Sequence, residues 1–160
     1  MIARLVLAGV AAAALSAGPA NAQFVQKRVV SSAAARQMVA ACEALAARNN
    51  WKLVVAVIDD GGHLLHLHKM DGAPIRSIDY AQRKARTALL QQAPSKVVAD
   101  RLAEGQQMLL ATGLLPIQGG LPIMADGVVA GAIGASGATA QQDEQCVQAG
   151  IDAATKAPAR

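Results

Sequence analysis

Aromatic side chains are almost missing from this chain: Phe24, Trp51 and Tyr80 are the whole set in 160 residues. Stacking on successive bases needs ring faces, and 15 Lys and Arg against 11 Asp and Glu leave a formal charge of only +4. A nucleic-acid-binding function is therefore set aside. Cysteine is nearly as scarce. Cys42 and Cys146 stand far apart, without the C-x-x-C spacing of a redox or zinc site. No serine occupies a complete Gly-x-Ser-x-Gly elbow: Gly134-Ala135-Ser136-Gly137 fails at the final glycine. The same glycine-rich run matches neither a dinucleotide fingerprint nor a phosphate-binding P-loop. It reads first as plain turn punctuation, and secondly as backbone N–H groups at a helix start that can hold an anion.

The one long apolar run, Leu5 to Leu15, follows Arg4 and precedes Ala20-Asn21-Ala22. A single positive charge, a short apolar stretch and small residues at a cleavage position describe a secretory signal peptide over 1–22. The remaining residues, 23–160, suit a single domain with no membrane span. Export makes the expected location periplasmic or secreted. An oxidising compartment permits a Cys42–Cys146 disulfide, although two small buried hydrophobes are the more ordinary reading. Low charge with abundant Ala and Val points to large buried or subunit-facing surfaces, hence a homo-oligomer.

Ser31-Ser32 opens a helix to about Asn49, with Met38, Ala41, Cys42 and Leu45 as its apolar stripe. Lys52 to Ile58 is a β-branched strand, and Asp59-Asp60-Gly61-Gly62 is a hairpin turn. A second strand runs to Met70, and a helix follows from Ser77 to about Gln91. Pro94-Ser95 opens another helix that stops near Gly105; residues 106–113 are ambiguous. Gly119 to Met124 is a short strand with an edge proline, and Val128 to Ala135 is the next. Thr139 and Gln142 have capping-box spacing at the start of the last helix, which ends near Lys156 before a short disordered tail. Hairpin strands with helices grouped between them indicate an α+β fold with an antiparallel sheet.

The chain's three histidines, His63, His66 and His68, all fall on the second strand of the hairpin. Alternation puts His66, His68 and Met70 on one face, with the two imidazoles about 7 Å apart along the strand. Such a pair suits one metal, one haem iron or one anion, while a polar outer edge of a hairpin also collects histidines. Imidazole with a thioether is an established axial pair for haem iron, and a core methionine is the default for Met70. On the following helix Lys84 lies at an apolar margin. Its stem can cover apolar surface while its head reaches water, or it can enter a pocket to hold a carboxylate.

Several segments together resemble the GlcG/HbpS-like haem-binding family. They are Val57-Ile58-Asp59-Asp60-Gly61-Gly62-His63-Leu64, Met70-Asp71-Gly72-Ala73, Arg83-Lys84-Ala85-Arg86-Thr87-Ala88, Pro94-Ser95 and Gly119-Gly120-Leu121-Pro122-Ile123. Gly131 to Gly137 and Gln142-Asp143-Glu144 complete the set, in the family's order. The resemblance implies a profilin-like fold, a central antiparallel sheet flanked by helices, and assembly into dimers or larger homo-oligomers. It implies an exported haem or tetrapyrrole binder acting in haem capture, buffering or redox sensing. His66 or His68 would ligate iron, with Met70 beside them, and Arg83 or Lys84 would meet the propionates. The histidines at 66 and 68 depart from the family pattern, which carries no shared ligand position. Two alternatives stand beside this. One is a haem-degrading enzyme, for which Asp59, Asp71 and Asp143 are the motif carboxylates. The other is a metal-free binder of small organic acids using Lys84 and the Gly134–Gly137 turn.

Overall fold

The computed structural model describes residues 25–155, so the signal peptide expected over 1–22 and the tail expected after Lys156 lie outside the described residues. Four strands form one antiparallel sheet: β1 (Val54–Asp59), β2 (Leu64–Lys69), β3 (Gly120–Ala125) and β4 (Val128–Ser136). Their spatial order is β2-β1-β4-β3. Four helices accompany them: α1 (Ser32–Arg48), α2 (Ser77–Gln91), α3 (Lys96–Ala103) and α4 (Ala140–Thr155). The ambiguous stretch contains a 3-10 helix over Gln107–Thr112. The expected α+β architecture is therefore present, with each element type in the expected order.

β1 is central because it can be buried on both faces: Val54 through Val57 are fully covered. On one face Val55, Val57 and Ile133 meet α1 and α4 through Met38, Val39, Cys42, Cys146 and Val147. On the other, Val54 and Ala56 meet Ala81 of α2, and Ile58 and Ala132 meet Ala85 and Ala88. The buried stripe of α1 is Ala35, Met38, Val39, Cys42 and Ala46. It is rotated from the expected stripe, since Ala41 and Leu45 are only half-buried. Ser31 caps α1 by accepting the Ala34 N–H at 3.1 Å. Thr139 and Gln142 make the reciprocal capping box of α4, at 3.1 and 3.3 Å. Pro122 lies on β3, an edge strand, where a missing N–H is tolerated.

Cys42 and Cys146 are joined in a disulfide, the less ordinary of the two readings that the sequence leaves open. The bridge ties α1 to α4 across 104 residues of sequence. A closure of that length removes much of the unfolded chain's freedom. Replacing both cysteines by alanine is expected to lower stability by about 2–4 kcal/mol in urea denaturation. An unchanged midpoint, with and without reductant, would show that the bridge contributes nothing.

Candidate functional site

β2 lies at a sheet edge, and its register sets which way its histidines face. His66 pairs with Val57 and His68 with Val55, so both share the face covered by α1. A bulge between Val57 and Ile58 shifts the register at the start of β2. Met70 follows on the same side and packs against the α1/α4 core. This face is the one that α1 and α4 cover, so of the two readings the purely outer polar edge is the one the structure does not support. His63 does not belong to the ladder. It sits in the turn before β2, its Nδ1 3.3 Å from Asp59 Oδ1.

His68 has a partner that the sequence did not single out. Its Nδ1 is hydrogen-bonded to Oε1 of Glu43, on α1. The side chain of His68 stays 55% exposed while that of Glu43 is 24% exposed. A carboxylate on Nδ1 fixes the ring's orientation and tautomer. Nε2 is the ring nitrogen that this bond leaves available. Glu43 follows Cys42 at the margin of the α1 stripe, four residues after buried Val39. That position next to a strand was the available signal.

Lys84 and Arg83 are elsewhere. α2 lies on the opposite face of the sheet from α1, so within one copy the sheet separates both from His66 and His68. Arg83 points outward and approaches Asp79 at 3.7 Å. Lys84 does not snorkel: its side chain is 2% exposed. Its ammonium donates to Asp143 Oδ2 at 2.7 Å and to the Ala135 carbonyl at 3.0 Å. The other oxygen of Asp143 accepts the Ala138 N–H at 3.1 Å. Burial raises the Asp143 carboxyl above its ordinary range, against the opposing pull of the Lys84 ammonium and the Ala138 N–H. The pair borders a cavity of about 180 Å³ at the end of β4.

The remaining motif carboxylate of the turn is committed to its own backbone. Asp59 Oδ1 accepts the N–H groups of Gly61 and His63 at 2.9 and 2.8 Å. These bonds, the His63 one first, hold its carboxyl below the usual range against partial desolvation. Among the described residues, no group of three or more His, Cys, Asp and Glu side chains is placed to hold a metal ion. Two histidines and one carboxylate suit a group that needs one or two axial ligands.

With this geometry in place, similarity to known proteins can be stated. Residues 30–152 match the family model described as haem degrading protein HbpS-like. Protein GlcG of Escherichia coli K12 is 39% identical over 112 residues, covering 69% of this chain and 83% of GlcG. The crystal structure of a double mutant of HbpS from Streptomyces reticuli superposes with a TM-score of 0.76 at 34% identity, over 89% of this chain and 97% of that one. A crystal structure titled PduOC:Heme complex gives a TM-score of 0.73 at 25% identity, over 78% of this chain and 94% of that one.

Two outcomes follow from the carboxylates. Asp143→Asn keeps an acceptor for Ala138 but leaves the Lys84 ammonium buried without its counter-charge, which is expected to cost about 3 kcal/mol or more in urea denaturation. Adding Lys84→Met should recover part of that loss; equal stability of the single variant and the wild type would refute the pairing. Asp59, whose folded-state carboxyl is depressed, stabilises the hairpin above its unfolded value and ceases to do so as pH falls through its folded value. Wild type should therefore lose its advantage over Asp59→Ala, about 1–2 kcal/mol, below roughly pH 4. A difference between the two that is independent of pH would contradict this assignment.

Proposed function

Because the chain belongs to the haem degrading protein HbpS-like family, we propose that it is an exported haem- or tetrapyrrole-binding protein. The observation that carries this is His68: a half-exposed imidazole on an edge strand, oriented through Nδ1 by Glu43 and presenting Nε2. A carboxylate–imidazole pair is the arrangement that strengthens histidine as a metal ligand. His66 stands two positions away on the same face and is the second nitrogen ligand within reach of the strand. Met70 packs into the core and serves the site as an apolar wall. When bound, the group would supply the iron centre and its redox or gas-binding chemistry; the chain supplies the ligand, its orientation and the cover of α1.

Lys84 does not fit a propionate partner, since its ammonium is buried and engaged by Asp143 and Ala135. Arg83 is exposed but lies across the sheet, so it would meet a ligand on β2 of a neighbouring copy rather than its own. The homo-oligomer belongs to the same proposal on the ground of the low charge and abundant Ala and Val of the sequence. Binding is favoured over turnover, because Asp59 and Asp143 are spent on their own hydrogen bonds. Glu43 alone is paired with a candidate ligand. Export is supported by the apolar leader in the sequence and by the Cys42–Cys146 bridge, which suits an oxidising compartment.

Hemin titration followed by absorbance tests the assignment. A saturable Soret band is expected, shifted or lost in His68→Ala. Its affinity should fall about tenfold or more in Glu43→Gln. A saturable band unaltered in the His66→Ala/His68→Ala double variant would move the site off β2.

A further inference from the structure

The cavity at the end of β4 holds no residue of the histidine strand, and several hydrogen-bond donors line its walls. It is lined from α2 by Arg76, Ser77, Tyr80 and Lys84, and from the β4–α4 junction by Ser136 and its neighbours. Ser77 is 1% exposed and Ser136 is 6% exposed. Neither hydroxyl has a hydrogen-bond partner among the described residues, and the same holds for the Tyr80 hydroxyl and the Arg76 guanidinium. The two serines therefore line the cavity with hydroxyls that no protein group engages, and these are free to meet a ligand there.

The charge around them gives the ligand's sign. Arg76 stands at the N-terminal end of α2 and carries a fixed positive charge with no ion partner among the described residues. Ala140, the first residue of α4, brings a second helix N-terminus to the same wall. The N-terminal ends of helices of 15 and 16 residues thus border one space, with Asp79 and Asp143 in their first turns. The Lys84–Asp143 pair closes the floor. The carboxylate there is neutralised by the ammonium and by the Ala138 N–H, so it does not cancel the surrounding positive potential. Ile117 and the Tyr80 ring supply apolar wall beside the donors.

From this convergence we infer that the cavity binds a small carboxylate. Arg76 takes the carboxylate as a charge-assisted donor, Ser77 and Ser136 hydrogen-bond its oxygens, and the ligand's short carbon part lies against Ile117 and Tyr80. The cavity is small, about 180 Å³, and suits a short-chain carboxylate. Its lining comes from α2, Ile117 and the β4–α4 junction with no residue of β2, so this site is separate from the one on β2.

Isothermal titration of the full protein with acetate and with propionate tests the inference, inorganic phosphate serving as a tetrahedral anion of similar size. Saturable binding of the carboxylates is expected, weaker binding of phosphate, and an affinity reduced about tenfold or more in Arg76→Ala. Ser136→Ala should weaken binding several-fold while leaving the circular dichroism spectrum and melting temperature near wild type, which separates ligand loss from misfolding. No saturation with either carboxylate, equal affinity for phosphate, or unchanged affinity in both variants would each overturn the assignment. The hemin response should be the same in Arg76→Ala as in wild type. Its loss there would give the cavity to haem and refute a separate site.

Discussion

The seating of α2 directly on the backbone of the sheet is the constraint from which the rest of the structure follows. A Cβ on Gly120 would fall 2.1 Å from the Lys84 carbonyl oxygen, and one on Gly134 would fall 2.2 Å from the Ala81 carbonyl oxygen. No side chain fits between helix and sheet at these points. The helix answers with its own small residues, Ala81, Ala85 and Ala88, all fully buried. Interior packing at that density leaves no slack to absorb an added methyl group. The glycines of β3 and β4 and the alanines of α2 are therefore one feature, written in three separate segments.

Close seating also explains how a lysine comes to be buried. The Lys84 backbone is pressed against Gly120, so its side chain has no route outward and runs along the sheet towards the start of α4. There the ammonium meets Asp143, which the capping box of α4 holds in place. Removing two charges from water is expensive, and such a pair seldom adds net stability over apolar residues. What it does here is fix geometry: it joins helices on opposite faces of the sheet, and it orders the Ser136–Ala138 segment through the Ala135 carbonyl and the Ala138 N–H. The disulfide does the corresponding work within one layer, joining α1 to α4.

Much of this was legible in the sequence, and the limits have physical causes. Periodicity and turn residues gave every helix and strand, because β1 is uniformly β-branched or small and the helix caps are local signals. The ambiguous stretch 106–113 became a 3-10 helix with no buried residue, so it had no apolar pattern to read. The shared face of His66 and His68 was readable from strand alternation alone. Which face it was, and that Glu43 waits there, depended on how α1 crosses the sheet. Helical spacing places Lys84 at an apolar margin, which leaves both snorkelling and entry into a pocket to hold a carboxylate open. Its burial comes from glycines 36 and 50 residues away in sequence. The serines and Arg76 carry no motif at all; only the meeting of α2 with the β4–α4 junction assembles them.

The same sheet thus keeps two kinds of titratable chemistry apart, and the difference between them lies in what each partner leaves free. Glu43 occupies one nitrogen of an exposed imidazole, so His68 remains a ligand with its orientation already fixed. Asp143 and Ala135 engage a buried ammonium from two directions, so Lys84 is structural and lends the adjoining cavity its neutral floor. A residue's reach to a ligand is governed here less by its own chemistry than by the backbone spacing beneath it. An edge strand under a single helix leaves room at His68. The glycine-bared strands under α2 leave none at Lys84, and a cavity opens instead at the end of β4, beside Ser77 and Ser136.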